Sequence, residues 1–281
     1  MKKLLILMMA LIITVSSAFA GQKWPDKIVF GVIPTAAQSS MKDVFGDLMD
    51  YLSKELGVEV ELQTANDYAA VITGMQYKHI DCAYFGPKSY VEAAKRADAE
   101  ALAIEIGEDG AGYHGYIITK KGSGLKSIAD IKGHTWAFTD PNSTSGTLVP
   151  SVLFYKQDID PQKYFSKVIY SGSHEASIIS VKNGKVDAAS TNDLDFARGL
   201  GKHWANEDFN IIWTSDLIPA SPMACRSELP SSFKMAMKGA LVSYANKEGL
   251  DKLKITGYAP TTDKLYDPIR ELIEIKEKLK K

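Results

Sequence analysis

The strongest constraint on the fold is a pattern of strand-like and helix-like runs that occurs twice, about 107 residues apart. Lys27-Ile28-Val29-Phe30-Gly31-Val32-Ile33 reads as a buried strand ended by Pro34. Gln38-Ser39-Ser40 then caps a helix with apolar Val44, Leu48, Met49 and Leu52, closed by Gly57. Val58 to Leu62 is a second strand, Tyr68 to about Lys78 a second helix, and Ile80 to Phe85 a third strand stopped by Gly86-Pro87. The second copy begins with the strand Thr135 to Thr139. Pro141 stands where Pro34 stood, and Ser145-Gly146-Thr147 opens a helix where Gln38-Ser39-Ser40 did. Lys167 to Tyr170 matches Glu59 to Leu62. His174 to Asn183 is a helix closed by Gly184, and Val186-Asp187-Ala188-Ala189 matches Ile80-Asp81-Cys82-Ala83. Here the shift is 106, which sets His174 on Tyr68. Few residues are identical, and two unrelated α/β halves share such a pattern by chance as well. Strands alternating with helices predict an α/β chain of two lobes, each a mostly parallel sheet flanked by helices.

Ligands of open α/β sheets bind beyond the carboxyl ends of the strands, near helix N-termini. The repeat therefore puts Gln38 and Tyr68 on one side of a cleft, and Ser143, Thr144, Ser145 and His174 on the other. The expected division is 21–112 for the first lobe and 113–215 for the second, with 216–281 returning to the first lobe and ending in helices. Gly107-Glu108-Asp109-Gly110-Ala111-Gly112 suits a crossing between lobes, although a plain surface loop has the same composition. Ile211 to Ser215 reads as the return crossing. Ser232 to Lys281 reads as helical and packed on the first lobe, its closing Lys/Glu run a solvated face.

Residues 1–20 read as a signal peptide: Lys2 and Lys3, an apolar run from Leu4 to Val15, then Ala18-Phe19-Ala20. Without them the chain carries 31 Lys and Arg against 34 Asp and Glu, a formal charge of −3. That balance offers no basic face for nucleic acid and no polybasic membrane patch. No Cys follows the cleavage site to carry a lipid anchor, and no later run is long enough to span a membrane. Export follows, with no direct membrane anchor and a monomer as the expected state; the resemblance given below makes the destination the periplasm. Cys82 and Cys225 allow one pairing in an oxidising compartment; both sit in apolar strand-like runs where a buried thiol is equally natural. The five histidines are scattered, no Cys/His cluster has metal-ligand spacing, and no cofactor is implied.

The stretch richest in chemistry is Asp140-Pro141-Asn142-Ser143-Thr144-Ser145-Gly146-Thr147-Leu148-Val149-Pro150. Pro150 belongs in the first turn of a helix, which places the helix start near Thr147. Unpaired N–H groups, the helix dipole and three hydroxyls make a socket for an oxyanion. No Gly-Lys-Ser/Thr follows, so this is not a nucleotide P-loop. A Ser/Thr-rich cap with nothing bound has the same sequence.

Four separated pieces, in order, resemble the periplasmic phosphonate/phosphite/phosphate-binding proteins of ABC importers. They are Ile80-Asp-Cys-Ala-Tyr-Phe-Gly-Pro87, Tyr113-His114, Asp140-Pro-Asn-Ser-Thr-Ser-Gly146 and Ser171-Gly-Ser-His-Glu-Ala-Ser177. The resemblance runs from about Lys27 to Leu272. It implies a two-lobed type II periplasmic-binding-protein fold that closes on a small phosphorus oxyanion and delivers it to an inner-membrane permease and its ATPase. It implies that Ser143, Thr144, Ser145 and His174 hold oxygens and that Tyr68 and Tyr113 wall the pocket. An acid in Thr191 to Asp195 is expected at the ligand, with Asp193 favoured over Asp195. Tyr84, Gln38 and Ser221 are weaker candidates, and Tyr84 equally suits core packing. Relatives that bind aminoalkyl phosphonates carry an acid in the loop matching Ile218 to Pro222. Ser221 stands there, which tilts the expectation toward phosphite, phosphate or methylphosphonate and away from 2-aminoethylphosphonate.

The core motifs hold no Lys or Arg, so binding is expected to rest on neutral donors and helix dipoles. An acid beside the anion accepts a hydrogen bond from a protonated oxyanion and repels a fully ionised one, so sulfate should be rejected. His174 can donate in either protonation state; a structural histidine at a helix start is the plain alternative. A hydrolytic triad of Ser145, His174 and a carboxylate is a rival reading, disfavoured because no Gly-x-Ser-x-Gly elbow is present. A periplasmic sensor subunit needs the same closing binder and is not separable from an importer by sequence.

Overall fold

The structure, a computed structural model, describes residues 22–108 and 110–280; the leader-like segment 1–20 lies outside them. The first unit runs β1 (Lys27–Val32), α1 (Gln38–Leu56), β2 (Glu59–Thr64), α2 (Tyr68–Gln76), β3 (Cys82–Tyr84), α3 (Pro87–Ala97) and β4 (Ala99–Ile106). The second runs β5 (Gly112–Lys120), β6 (Thr135–Phe138), a π-helical turn Thr144–Leu148 leading into α4 (Val149–Lys156), β7 (Lys167–Tyr170), α5 (His174–Lys182), β8 (Ala188–Asn192), α6 (Asp193–Gly199) and β9 (Phe209–Pro219). The chain then returns through β10 (Pro222–Arg226), α7 (Ser231–Val242), α8 (Lys247–Leu253), β11 (Gly257–Pro260) and α9 (Asp267–Leu279).

Two sheets result, ordered β11-β4-β10-β3-β1-β2 and β7-β6-β8-β5-β9. In each, the first three strands of the repeat lie in the order second, first, third and run parallel. The antiparallel strand beside the third has crossed from the other lobe: β10 pairs β3, and β5 pairs β8. This is the two-lobed type II arrangement, each sheet flanked by helices. The cores follow strand alternation. Ile117 and Trp136 face one side of the second sheet, Ile118 and Ala137 the other.

Four local expectations are corrected. Gln38 does not cap α1 but is its first residue, and Ala37 stands at the N-cap position. The helical segment after β6 starts at Thr144 rather than near Thr147, because Ser143 Oγ accepts the Gly146 N–H at 3.0 Å and starts the turn. The segment after Ser232 is not all helical. Gly257-Tyr258-Ala259-Pro260 adds an edge strand on β4, a place where Pro is tolerated because one strand side lacks a partner. The closing helix α9 packs on α3 of the first lobe and also on α4 of the second.

The crossings lie at β4–β5 and β9–β10. β9 stays in the second sheet through Pro219, beyond the expected end at Ser215. At Gly112 an added Cβ would stand 2.8 Å from the Ile218 carbonyl oxygen, so the two crossing strands approach as closely as only glycine allows. Cys82 and Cys225 are directly opposite in β3 and β10 and form a disulfide, fastening the return strand to the first sheet.

Candidate functional site

The C-terminal ends of the parallel strands of both lobes converge on one small cavity. It is lined by Ile33, Thr35, Tyr68, Tyr84, Gly86 and Ser221 on the first-lobe side. The second-lobe side contributes Tyr113, Ser143, Thr144, Ser145, His174, Asn192, Leu194, Asp195 and Arg198. Its volume is about 20 Å³, room for the centre of one water-sized group. The lobes are closed over it. Lys88 N–H donates to Thr144 Oγ1 at 2.8 Å and Lys88 Nζ to Asn142 Oδ1 at 3.0 Å, both across the cleft.

The Ser-Thr-Ser turn is built rigidly. Ser143 Oγ caps the turn, the Gly146 carbonyl accepts from Ser190 Oγ at 2.7 Å, and a Cβ on Gly146 would collide with the Thr139 side chain. All three hydroxyl residues are buried. The Tyr113 hydroxyl meets the hydroxyls of Thr144 and Ser145. Tyr68 and His174 each open a helix one repeat apart, behind matched caps: Asp67 accepts from Ala70 N–H and Ser173 from Ala176 N–H. His174 Nε2 lies 3.3 Å from Ser143 Oγ, and Nδ1 lies 3.2 Å from Thr191 Oγ1. Burial holds the imidazole below the ordinary histidine value, so it is neutral at neutral pH. The Tyr68 hydroxyl is fully buried and has no hydrogen-bond partner among the described residues.

The acid lining the cavity is Asp195. Asn192, the N-cap of α6, accepts from Asp195 N–H and donates to Asp195 Oδ2, both at 2.8 Å, and also reaches Ser145 Oγ at 3.3 Å. This cap turns Asp195 inward. Asp193 instead turns to the crossing strand: its Oδ2 accepts from His114 N–H at 2.9 Å and its Oδ1 from Leu194 N–H at 2.8 Å. It does not line the cavity. Gln38 is exposed and donates to Asn66 Oδ1 at 3.0 Å, also away from it.

Sequence reading missed a cation. Arg198, one helical turn after Asp195, donates to Asp195 Oδ1 at 2.9 Å, to Glu105 Oε1 at 3.2 Å and, through Nε, to the Leu253 carbonyl at 3.1 Å. Tyr84 Oη donates to Glu105 Oε2 at 3.1 Å. The guanidinium makes three bonds to protein acceptors and sets a positive charge beside Asp195 and Glu105. Burial pushes the Asp195 carboxyl up, but His174, Arg198 and the Asn192 amide outweigh it and hold Asp195 below the ordinary carboxylate value. Burial pushes Glu105 up to about 7, against the pull of Arg198 and Tyr84. The i, i+3 spacing of Asp195 and Arg198 was visible, but such pairs are usually surface decoration. Among the described residues no group of three or more His, Cys, Asp or Glu side chains could hold a metal.

A family model described as "ABC transporter, phosphonate, periplasmic substrate-binding protein" matches residues 30–266. The chain belongs to this family. The phosphonates-binding periplasmic protein of Escherichia coli is 31% identical over 259 residues, covering 88% of this chain and 76% of that protein. The phosphate-import protein PhnD of Mycolicibacterium smegmatis is 28% identical over 277 residues, covering 90% and 86%. A binding protein component of an ABC phosphonate transporter from Pseudomonas aeruginosa superimposes with a TM-score of 0.86 at 31% identity, covering 92% of this chain and 88% of that one. Members of this phosphonate-binding family are the periplasmic substrate-binding components of ABC transporters, which work with a membrane permease and its ATPase.

Proposed function

We propose that this chain captures a small phosphorus oxyanion (phosphite, phosphate or methylphosphonate) by closure of its two lobes, and presents it to the permease of an importer. The observation that carries the reading is the Tyr68 hydroxyl, buried with no partner among the described residues in a cavity whose other wall is the Ser143-Thr144-Ser145 turn and His174. An orphaned buried hydroxyl costs about 1–3 kcal/mol, which a ligand oxygen relieves. The bound anion would then be held by the Tyr68, Ser143, Thr144 and Ser145 hydroxyls, His174 and the end of the π-helical turn. Asp195, kept ionised, would accept from a P–OH group and reject anions that carry no proton. Tyr84 and Tyr113 give the flat walls. Residues 1–20 would direct export, and the mature chain would work as an unanchored monomer.

The relatives bind phosphonates or import phosphate by name, and the neutral Ser221 in the cavity wall, where an ammonium would want an acid, supports the smaller ligands over 2-aminoethylphosphonate. The geometry also speaks against hydrolysis. Ser145 Oγ partners Asn192, and it is the capping hydroxyl of Ser143 that faces His174. Asp195 stands nearest the same ring nitrogen, at 3.8 Å, whereas a triad needs its carboxylate on the opposite nitrogen. Isothermal titration with the three oxyanions and sulfate tests the reading: binding of one or more of the three without sulfate supports it, and equal binding of sulfate overturns the role given to Asp195.

A further inference from the structure

Lobe closure completes helix ends that the first lobe leaves unfinished. The helices that start on the second-lobe side of the cleft carry their own caps: Ser173 for α5 and Asn192 for α6. In the first lobe α2 has its own Asp67 cap, but α1 and α3 begin at Ala37 and Gly86, neither of which can offer a capping side chain; α3 has only Ser89 Oγ, which accepts the Gly86 N–H at 3.0 Å. Both ends point at the second lobe, and both receive an acceptor from it. Lys88 N–H of α3 donates to Thr144 Oγ1 at 2.8 Å, and Ala37 N–H at the start of α1 donates to Glu175 Oε2 at 2.7 Å.

The Glu175 contact is the stronger of the two. It sets a carboxylate on the positive end of a 19-residue helix, where the dipole favours an anion. In an ordinary capping box a glutamate in the first turn reaches back to its own N-cap N–H; here the glutamate comes from the facing lobe. Its backbone adds a second tie, since Glu175 N–H donates to the Thr35 carbonyl at 3.1 Å. Its other carboxylate oxygen lies 3.5 Å from His203 Nε2 of its own lobe, which holds the side chain in place. Glu175 does not line the cavity, but its neighbour His174 and its partner Thr35 both do. The tie therefore forms only when the ligand walls have come together.

We infer that Glu175 is the closure latch: it caps α1 across the cleft and sets the lifetime of the closed complex without touching the ligand. The inference rests on the capture reading above, because it concerns the same closure. An open lobe pair leaves Ala37 N–H and Glu175 to water, so the latch contributes to the closed state alone. It acts on release more than on encounter.

The test is stopped-flow kinetics of Glu175→Ala and Glu175→Gln with phosphite, phosphate and methylphosphonate in turn, together with small-angle scattering and thermal unfolding of the unliganded proteins. For each probe that binds the wild type, the Ala variant is expected to dissociate about tenfold faster, the usual worth of a charge-assisted hydrogen bond. The association rate and unliganded midpoint stay at wild-type values. The Gln variant, which keeps an acceptor for Ala37 N–H, recovers part of the lifetime. An unchanged dissociation rate overturns the latch. So does a lowered unliganded midpoint with slowed association, since that marks a folding defect. If none of the three probes binds the wild type, the ligand reading falls by itself. Scattering then decides: a wild type as compact as the closed structure with a less compact Ala variant supports the latch, and any other pair of profiles overturns it.

Discussion

Asp81 and Asp187, 106 residues apart, receive the same hydrogen bond in the two lobes. Asp81 Oδ2 accepts from Val29 N–H and Asp187 Oδ2 from Thr135 N–H, each at 2.8 Å. Each carboxylate precedes the third strand of its unit and holds the first residues of the central one. The repeat therefore extends to individual side chains, and it sets Tyr68 and His174, equally spaced, on one cavity.

Tyr68→Phe separates ligand binding from folding. The hydroxyl has no partner among the described residues to lose, so the unliganded midpoint should hold or rise. Affinity for the bound oxyanion should fall by about tenfold or more, the value of one hydrogen bond to a charged group. Calorimetric titration beside thermal unfolding reads both; unchanged affinity would remove Tyr68 from the site.

Ser221→Asp should change ligand preference. Ser221 is buried in the cavity wall, with its hydroxyl beside that of Tyr84. A carboxylate there repels methylphosphonate and pairs with an ammonium. Titration should show weaker methylphosphonate binding and new or tighter binding of 2-aminoethylphosphonate. A loss of both would mean that the cavity has no room for the longer ligand.

Glu105 predicts a pH dependence. Burial pushes its carboxyl from 4.5 up to about 7 in the folded chain, so between those values the folded state holds a proton that the unfolded state has released. Stability from this group therefore falls as pH rises through that window and levels above it. Glu105→Gln does not titrate. The midpoint of the wild type minus that of the variant should decline across the window; a flat difference contradicts the shift.

Replacing Cys82 and Cys225 together by Ala removes a link across 143 residues of chain. Urea unfolding should show a loss of about 2–5 kcal/mol. Loss well below that range would mean that β10 is held by its strand pairing alone.

Much of this was legible in the sequence for a physical reason. Strand and helix periodicity is local, so the repeat, the Ser143 turn and the helix start at His174 could be read from short windows. What depends on the facing lobe could not. Arg198 looks like half of an ordinary helix-surface pair until Glu105 of the other lobe meets it. The choice between Asp193 and Asp195 turned on where β8 ends and on the side chain of Asn192, which sets the phase of a seven-residue helix. β11 escaped notice because a four-residue edge strand ending in Pro has little pattern of its own.

The most direct test of the central claim is thermal unfolding of the chain lacking residues 1–20, with phosphite, phosphate, methylphosphonate and sulfate added separately. A ligand at about a hundred times its dissociation constant stabilises by about 2.7 kcal/mol, which for a chain this long raises the midpoint by about 5–10 °C. The account predicts such a rise with at least one of the three phosphorus oxyanions and none with sulfate. No rise with any of the three, or an equal rise with sulfate, would contradict it.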